Sequence, residues 1–394
     1  MSEVEPGGER EVLAALRSSL PWFREQSEEA ARARRLPEAT VARIRDLGLM
    51  RLLQPARHGG FEAPPEAFVL AMLELSAACS AAGWVLGVVG VHHYHLGLYE
   101  DRLQAEVWGE DADTWISSSY APSGTADRVE GGFVLRGRWS FSSGSDHCRW
   151  AFVGGMAVDG QGGPPEYRHF VLPRSDYEIE DVWNVSGLSG TGSNDIVVDD
   201  VFVPEYRTMS VADLAALRCP GRRENTGPLF SCPWGAVFLN AVCVPLVGMA
   251  QAVLDECITY HRSKIGDGGN RLAMPHPVTL ARLAEASSDI DAARLSLLAN
   301  VREVYDWAVR EGEVPLAVRT RARRDQAVAV TRAMAAADAG YYSAGPRAIS
   351  LQSPIQRIWR DVHAGAHHAV NLPDLGLAGY GGFLLTGRME DPLV

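Results

Sequence analysis

The chain has 394 residues, 46% hydrophobic and 22% charged, which suits two or three packed units with a large core and excludes wholesale disorder. Its formal net charge of −12 repels phosphate backbones and anionic lipid, so neither nucleic acid nor a membrane surface is an expected partner. The six cysteines (Cys79, Cys148, Cys219, Cys232, Cys243 and Cys257) form no Cys-x-x-Cys pair and no zinc spacing, so reduced, mostly buried thiols and no metal site are expected.

The chain starts with an acidic segment, Met1 to Gly8, that lacks the basic start and apolar core of a signal peptide, and a cytoplasmic protein is expected. Residues 9–99 read as helices rich in Ala, Leu, Arg and Glu, with boundaries near Pro37 and Pro55 and a loop at Gly59-Gly60. The texture changes at Thr114 to short β-branched and aromatic runs broken by glycine: 115–120, 132–141, 150–158, 167–172 and 195–203. A polar link follows over 209–231, and then helices are predicted over 234–263, 277–311, 316–342 and 354–371, enough for an antiparallel bundle. The predicted domains are an α-helical unit over 1–113, a central β unit over 114–222 and a helical bundle over 223–394. No strand-helix alternation exists to build a doubly wound nucleotide-binding sheet. Residues 234–254 carry no charge and approach membrane-spanning length, but Asn240, Pro245, Gly248 and Gln251 favour the central helix of a soluble bundle.

Within the β unit, Arg138 to His147 alternates aromatics and hydroxyls before ending in glycine. Strand alternation puts Trp139, Phe141 and Ser143 on one face, and Gly144 lets a ligand approach the backbone, a surface suited to a planar flavin. Gly187 to Ser193 has neither the lysine of a P-loop nor dinucleotide glycine spacing and reads as a tight turn between strands. On the last predicted helix, Ile355, Ile358, Trp359, Val362, Ala366 and Val370 form an apolar face with His363 and His367 at its edge. His368 falls on a separate face with Asp361 and the small Gly365, where a flavin edge is expected to fit.

The glycine turn followed by Val198-Asp199-Asp200-Val201-Phe202-Val203-Pro204, the segment Tyr260-His261-Arg262, and Pro354-Ile355-Gln356-Arg357-Ile358-Trp359-Arg360-Asp361 resemble the acyl-CoA dehydrogenase superfamily over nearly the whole chain. The implied fold is α+β, mostly α, with an N-terminal helical domain, a central β-barrel domain and a C-terminal four-helix bundle. A common dehydrogenase branch carries its base in a Tyr-Glu-Gly-Thr segment; this chain reads Gly379-Tyr380-Gly381-Gly382, where glycine stands in place of the glutamate and cannot abstract a proton, though some dehydrogenases place their base elsewhere. Histidines stand out instead: His92 and His93, then His363, His367 and His368. Together with the strand at 137–144 and Pro233-Trp234-Gly235, they resemble the oxygenase components of two-component flavin-dependent monooxygenases on this fold, which hydroxylate phenols and related aromatics.

That resemblance implies a separate flavin reductase, diffusible reduced FAD or FMN, O2, a C4a-hydroperoxyflavin, an aromatic (phenolic or indolic) substrate and a homotetramer. It places the Ser143 hydroxyl at flavin N5, His368 near C4a and His92 beside the substrate, these three being the catalytic set. The cofactor-binding set adds Trp139, Phe141, Ser118 or Ser119, Arg262, and Arg347 on a loop that reaches a neighbouring subunit's cofactor. Trp115 and Tyr380 join His92 along the substrate. The sequence leaves open FAD against FMN, His367 against His368, and His92 against His93. An acyl-CoA dehydrogenase-type oxidoreductase and an N-oxygenase of an amine or amino sugar are the alternatives.

Overall fold

A computed structural model describes residues 8–160, 163–265, 274–389, 391 and 393–394. Five helices come first: α1 (Gly8–Ala33), α2 (Glu38–Asp46), α3 (Pro65–Ala78), α4 (Ser80–Leu96) and α5 (Asp101–Trp108). Seven strands follow: β1 (Ile116–Val129), β2 (Gly132–Ser142), β3 (Trp150–Val158), β4 (Glu166–Pro173), β5 (Glu178–Glu180), β6 (Asn194–Pro204) and β7 (Thr208–Ser210). The chain then returns to helix: α6 (Val211–Ala215), α7 (Trp234–Phe238), α8 (Asn240–Ile265), α9 (Pro277–Glu311), α10 (Leu316–Ala344), α11 (Pro354–Ala366) and α12 (Pro373–Thr386).

α4 and the first two-thirds of α8 are apolar on every side, which suits helices surrounded by protein. α8 meets that condition: 94% of its most hydrophobic window is buried against α3, α4, α10 and α11. The long uncharged segment is therefore a core helix of this fold. The main core runs continuously from α1 through α4 to the bundle, while a smaller core of Phe133, Leu135, Trp139, Phe170 and their neighbours lies within the sheet.

The strands form one sheet in the order β5-β6-β2-β1-β3-β4-β7, with β5 and β7 at its edges. β1 runs antiparallel to β2 and parallel to β3. The pairing of β2 with β6 slips between Trp139 and Ser142: Trp139 lies opposite Ile196 but Ser142 opposite Asn194, so three steps on β2 match two on β6. A slip of one residue exchanges the two faces of a strand. Trp139 is consequently fully buried in the sheet's own core, its indole donating to the Gly154 carbonyl at 2.6 Å, whereas Phe141 is 57% exposed. The expected shared face of Trp139, Phe141 and Ser143 does not form.

The helix α12 was not expected from sequence. Its glycines disfavour helix, yet Pro373 opens it and Gly376 lets it approach Ala327 and Arg323 of α10.

Candidate active site

Two groups of functional side chains lie along α4, one at Trp84 and one beginning at His92. The first is a chain of hydroxyls. The turn after β2 brings Ser143 out of the sheet, and Gly144 follows at φ +71°, with its backbone close to Val85 and Val89 of α4. The Ser143 hydroxyl accepts from the Trp84 indole at 3.1 Å and lies 2.7 Å from the Ser193 hydroxyl, which is itself 2.7 Å from the Thr191 hydroxyl. Thr191 donates to the Leu188 carbonyl at 2.8 Å. The glycine turn read only as a connector thus supplies the groups behind Ser143.

The second route to Ser143 starts from α11. Buried Asp361 accepts from the Leu188 backbone N–H at 2.6 Å, and Gly187 is held against the Arg360 carbonyl so closely that a Cβ would clash. Burial pushes the Asp361 carboxyl up to about 6, opposed by its bonds to Leu188 and Ser80. At the far end of α11, His368 follows the last helical turn with its ring edge-on to Trp84, 6.0 Å between centroids. Burial lowers its pKa to about 4, so the imidazole is neutral near pH 7. Ser143 and His368 therefore both contact one tryptophan, Trp84.

α11 buries Ile355, Ile358, Val362 and Ala366 as expected, but its second face is occupied too. A Cβ on Gly365 would lie 2.5 Å from Leu246 and 2.8 Å from Trp84, so no flavin edge fits against Gly365; its smallness serves helix packing. His363 bonds Asp338 at 2.9 Å, and exposed His367 turns to the His363 carbonyl, which separates both from His368.

The second cluster is aromatic and lies along α4. His92 is fully enclosed, and its Nδ1 lies 2.6 Å from the Ile116 carbonyl. A carbonyl only accepts, so Nδ1 carries the proton and Nε2 presents a bare lone pair. That Nε2 is buried and has no hydrogen-bond partner among the described residues. Burial drives the His92 pKa down to about 3, partly opposed by the Ile116 bond. One turn on, His95 stacks on Phe152 with centroids 4.6 Å apart and meets the Tyr120 hydroxyl at 2.7 Å. Tyr120 also packs on His169 at 4.4 Å, and Trp234 stacked on Phe238 closes the box. His169 is lowered to about 3 and His95 well below its ordinary value, both mainly by burial. His93 points the other way, stacked on Trp108. The i, i+3 pair His92 and His95 was readable as one helical face; His169 on β4 and the aromatic box were not anticipated.

The remaining expected residues are dispersed. Ser119 is buried and donates to the Ser140 carbonyl at 3.2 Å, while Ser118 is partly exposed and bonds Tyr120. Trp115 is buried edge-on to His147. Arg262 is exposed in the last turns of α8, and Arg347 lines a cavity of about 370 Å³ with Tyr260, Ser263, Ser350 and Ser353. Neither arginine touches the Ser143 or His92 groups within this chain. Tyr380 on α12 accepts from Arg324 at 3.3 Å, under whose guanidinium its ring lies, and the structure does not bring it to His92. Among the described residues no group of three or more His, Cys, Asp or Glu is arranged to hold a metal ion.

The residues around Ser143 fit a flavin. A hydroxyl with an open lone pair, a glycine backbone and the exposed ring of Phe141, 5.1 Å from Trp183, offer a polar point and an apolar plane. His368 stands beside them as a neutral imidazole.

Family models described as the acyl-CoA dehydrogenase N-terminal and C-terminal domains match residues 19–99 and 240–373. The oxygenase subunit HsaA of a flavin-dependent monooxygenase from Rhodococcus jostii (strain RHA1) is 42% identical over 97% of this chain and 99% of that protein. The oxygenase component of an FADH(2)-dependent resorcinol hydroxylase from Rhizobium sp. (strain MTP-10005) is 33% identical, covering 90% of this chain and 89% of that one. The crystal structure of 3-HSA hydroxylase from Rhodococcus sp. RHA1 superposes with a TM-score of 0.94 at 41% identity, over 97% of this chain and 98% of that chain.

Proposed function

Since the chain belongs to the oxygenase components of flavin-dependent monooxygenases built on the acyl-CoA dehydrogenase fold, we propose that it hydroxylates a phenolic ring held between His92 and the flavin position at Ser143. The observation that carries this reading is His92 Nε2, a buried acceptor without a partner among the described residues, whose tautomer is locked by Ile116. An unpartnered buried acceptor costs about 1–3 kcal/mol, and a substrate hydroxyl removes that cost. A hydrogen bond donated by the phenol hydroxyl to Nε2 orients the ring and raises its electron density, which the electrophilic oxygen then meets.

Reduced FAD or FMN supplied by a separate reductase provides the activated oxygen when bound. The protein's own residues orient it and keep water out. Ser143 would hold the flavin by a hydrogen bond at N5, with Trp84 and His368 beside it and the rings of Phe141 and Trp183 offering apolar cover. Neutral His368 adds a polar group without a charge that would draw in water. The aromatic box of Phe152, Tyr120, Trp234 and Phe238 accepts the apolar part of the substrate. Arg262 and Arg347 are assigned to the flavin phosphates, Arg347 toward a neighbouring subunit. A homotetramer accounts for the exposed Leu375, Leu377, Leu384 and Leu385 of α12, which another copy would cover. A cytoplasmic location matches the reducing environment that six free buried thiols require.

The test reconstitutes the protein with a generic flavin reductase and screens phenols, indoles and amines by product mass. A product heavier by one oxygen from a phenol, lost in His92→Ala while flavin still binds, is the expected result. Oxygenation of amines only, or no oxygenated product with reduced flavin bound, would overturn the assignment.

A further inference from the structure

The hydroxyls behind Ser143 have a direction, and it follows from their last member. The Leu188 carbonyl can only accept, so at 2.8 Å the Thr191 hydroxyl must donate its single hydrogen there. Thr191 then has only lone pairs for Ser193, so Ser193 donates to Thr191 across their 2.7 Å contact. With its hydrogen spent, Ser193 accepts from Ser143, again at 2.7 Å. The Trp84 indole, which can only donate, takes one of the two Ser143 lone pairs. What remains on Ser143 is a single lone pair and no hydrogen.

The anchoring end is rigid. Leu188 sits at φ +53°, and its carbonyl is further fixed by the Trp183 indole at 2.9 Å, while its N–H is held by Asp361. Thr191 and Ser193 are buried, so no solvent is at hand to reverse the chain.

We infer that Thr191 and Ser193 are positioning residues that make the site selective for reduced flavin, by holding Ser143 as a hydrogen-bond acceptor. Reduced flavin carries a hydrogen on N5 and donates it to the open lone pair. Oxidised flavin has a lone pair at N5, and two lone pairs facing each other repel. A free serine would rotate its hydroxyl and serve both forms; this one is committed. The selectivity suits an oxygenase that must take reduced flavin from solution and release the oxidised form. It rests on the placement of Ser143 at N5 proposed above.

The test measures dissociation constants for oxidised flavin by fluorescence and for reduced flavin anaerobically, in wild type, Thr191→Val, Thr191→Ser and Ser193→Ala. Thr191→Val keeps the shape but removes the acceptor for Ser193, whose hydrogen can then turn to Ser143 and release the Ser143 hydrogen toward N5. Ser193→Ala releases it directly. Both variants are expected to bind oxidised flavin more tightly and to lower the preference for reduced flavin by about tenfold, the scale of one neutral hydrogen bond. Thr191→Ser, which keeps the hydroxyl, retains the wild-type preference. An unchanged ratio in Thr191→Val and Ser193→Ala overturns the inference even if the enzyme hydroxylates phenols. Loss of both flavins from wild type would instead overturn the flavin site itself.

Discussion

Lowering the pH should unfold this protein at a pH where most globular domains are intact, because its buried and partly buried histidines refuse protons that the unfolded chain accepts. His92 and His169 are lowered from 6.5 to about 3, and His93 and His368 to about 4. A depressed histidine favours the folded state at high pH, and that advantage is lost as pH falls through 6.5 toward the folded value. At pH 5 each of the four costs about 2 kcal/mol relative to pH 8, about 8 kcal/mol together, with the loss at pH 6 about 3 kcal/mol. Asp361, raised to about 6, works oppositely and returns only about 1.5 kcal/mol over the same range. The net loss is a large part of a typical total stability of about 5–15 kcal/mol. Urea denaturation at pH 8, 6 and 5 measures it, and His169→Phe should reduce the loss at pH 5 by about 2 kcal/mol. Stability that changes by less than about 2 kcal/mol between pH 8 and 5 would refute the reasoning, since it would mean that these imidazoles exchange protons with solvent in the folded state.

Asp361→Asn keeps an acceptor for Leu188 N–H but removes a buried charge. The folded carboxyl's raised pKa means that its ionisation costs stability above about pH 6, so the variant should be more stable at pH 8 by up to about 3 kcal/mol, the gap narrowing towards zero by pH 4; parallel denaturation curves would count against this. His92→Ala should lower product formation by about 10²- to 10⁴-fold while reduced flavin consumption continues, the electrons appearing as hydrogen peroxide. His368→Ala should raise the ratio of hydrogen peroxide to product, read by peroxidase-coupled assay; an unchanged ratio removes His368 from the flavin site. Gly365→Val forces side-chain atoms into Leu246 and Trp84, and a melting temperature equal to wild type would show that α11 does not pack as described.

Much of the architecture was legible because its signals are local. Proline at the start of α11, the uncharged run of α8 and the β-branched texture after Thr114 each act within a few residues. The site was legible in part. His92, Ser143 and His368 could be singled out by type and motif, and the structure brings both Ser143 and His368 into contact with Trp84. The face shared by Trp139, Phe141 and Ser143 could not survive, because the slip between β2 and β6 is set by pairing with a strand more than fifty residues away. For the same reason Gly365 looked like room for a ligand when it is room for Trp84 and Leu246. Ser193 and Thr191 were hidden in a turn whose glycines dominate its reading, and His169 joins His95 only once β4 crosses the sheet. Tyr380, expected along the substrate, here serves the α10–α12 contact through Arg324.

The most direct measurement of the central claim uses ¹⁸O2. With reduced flavin, a phenolic substrate and ¹⁸O2, the product should gain one labelled oxygen atom and the accompanying water the other. Unlabelled product, or complete conversion of the flavin electrons to hydrogen peroxide with every phenol tried, would contradict the account.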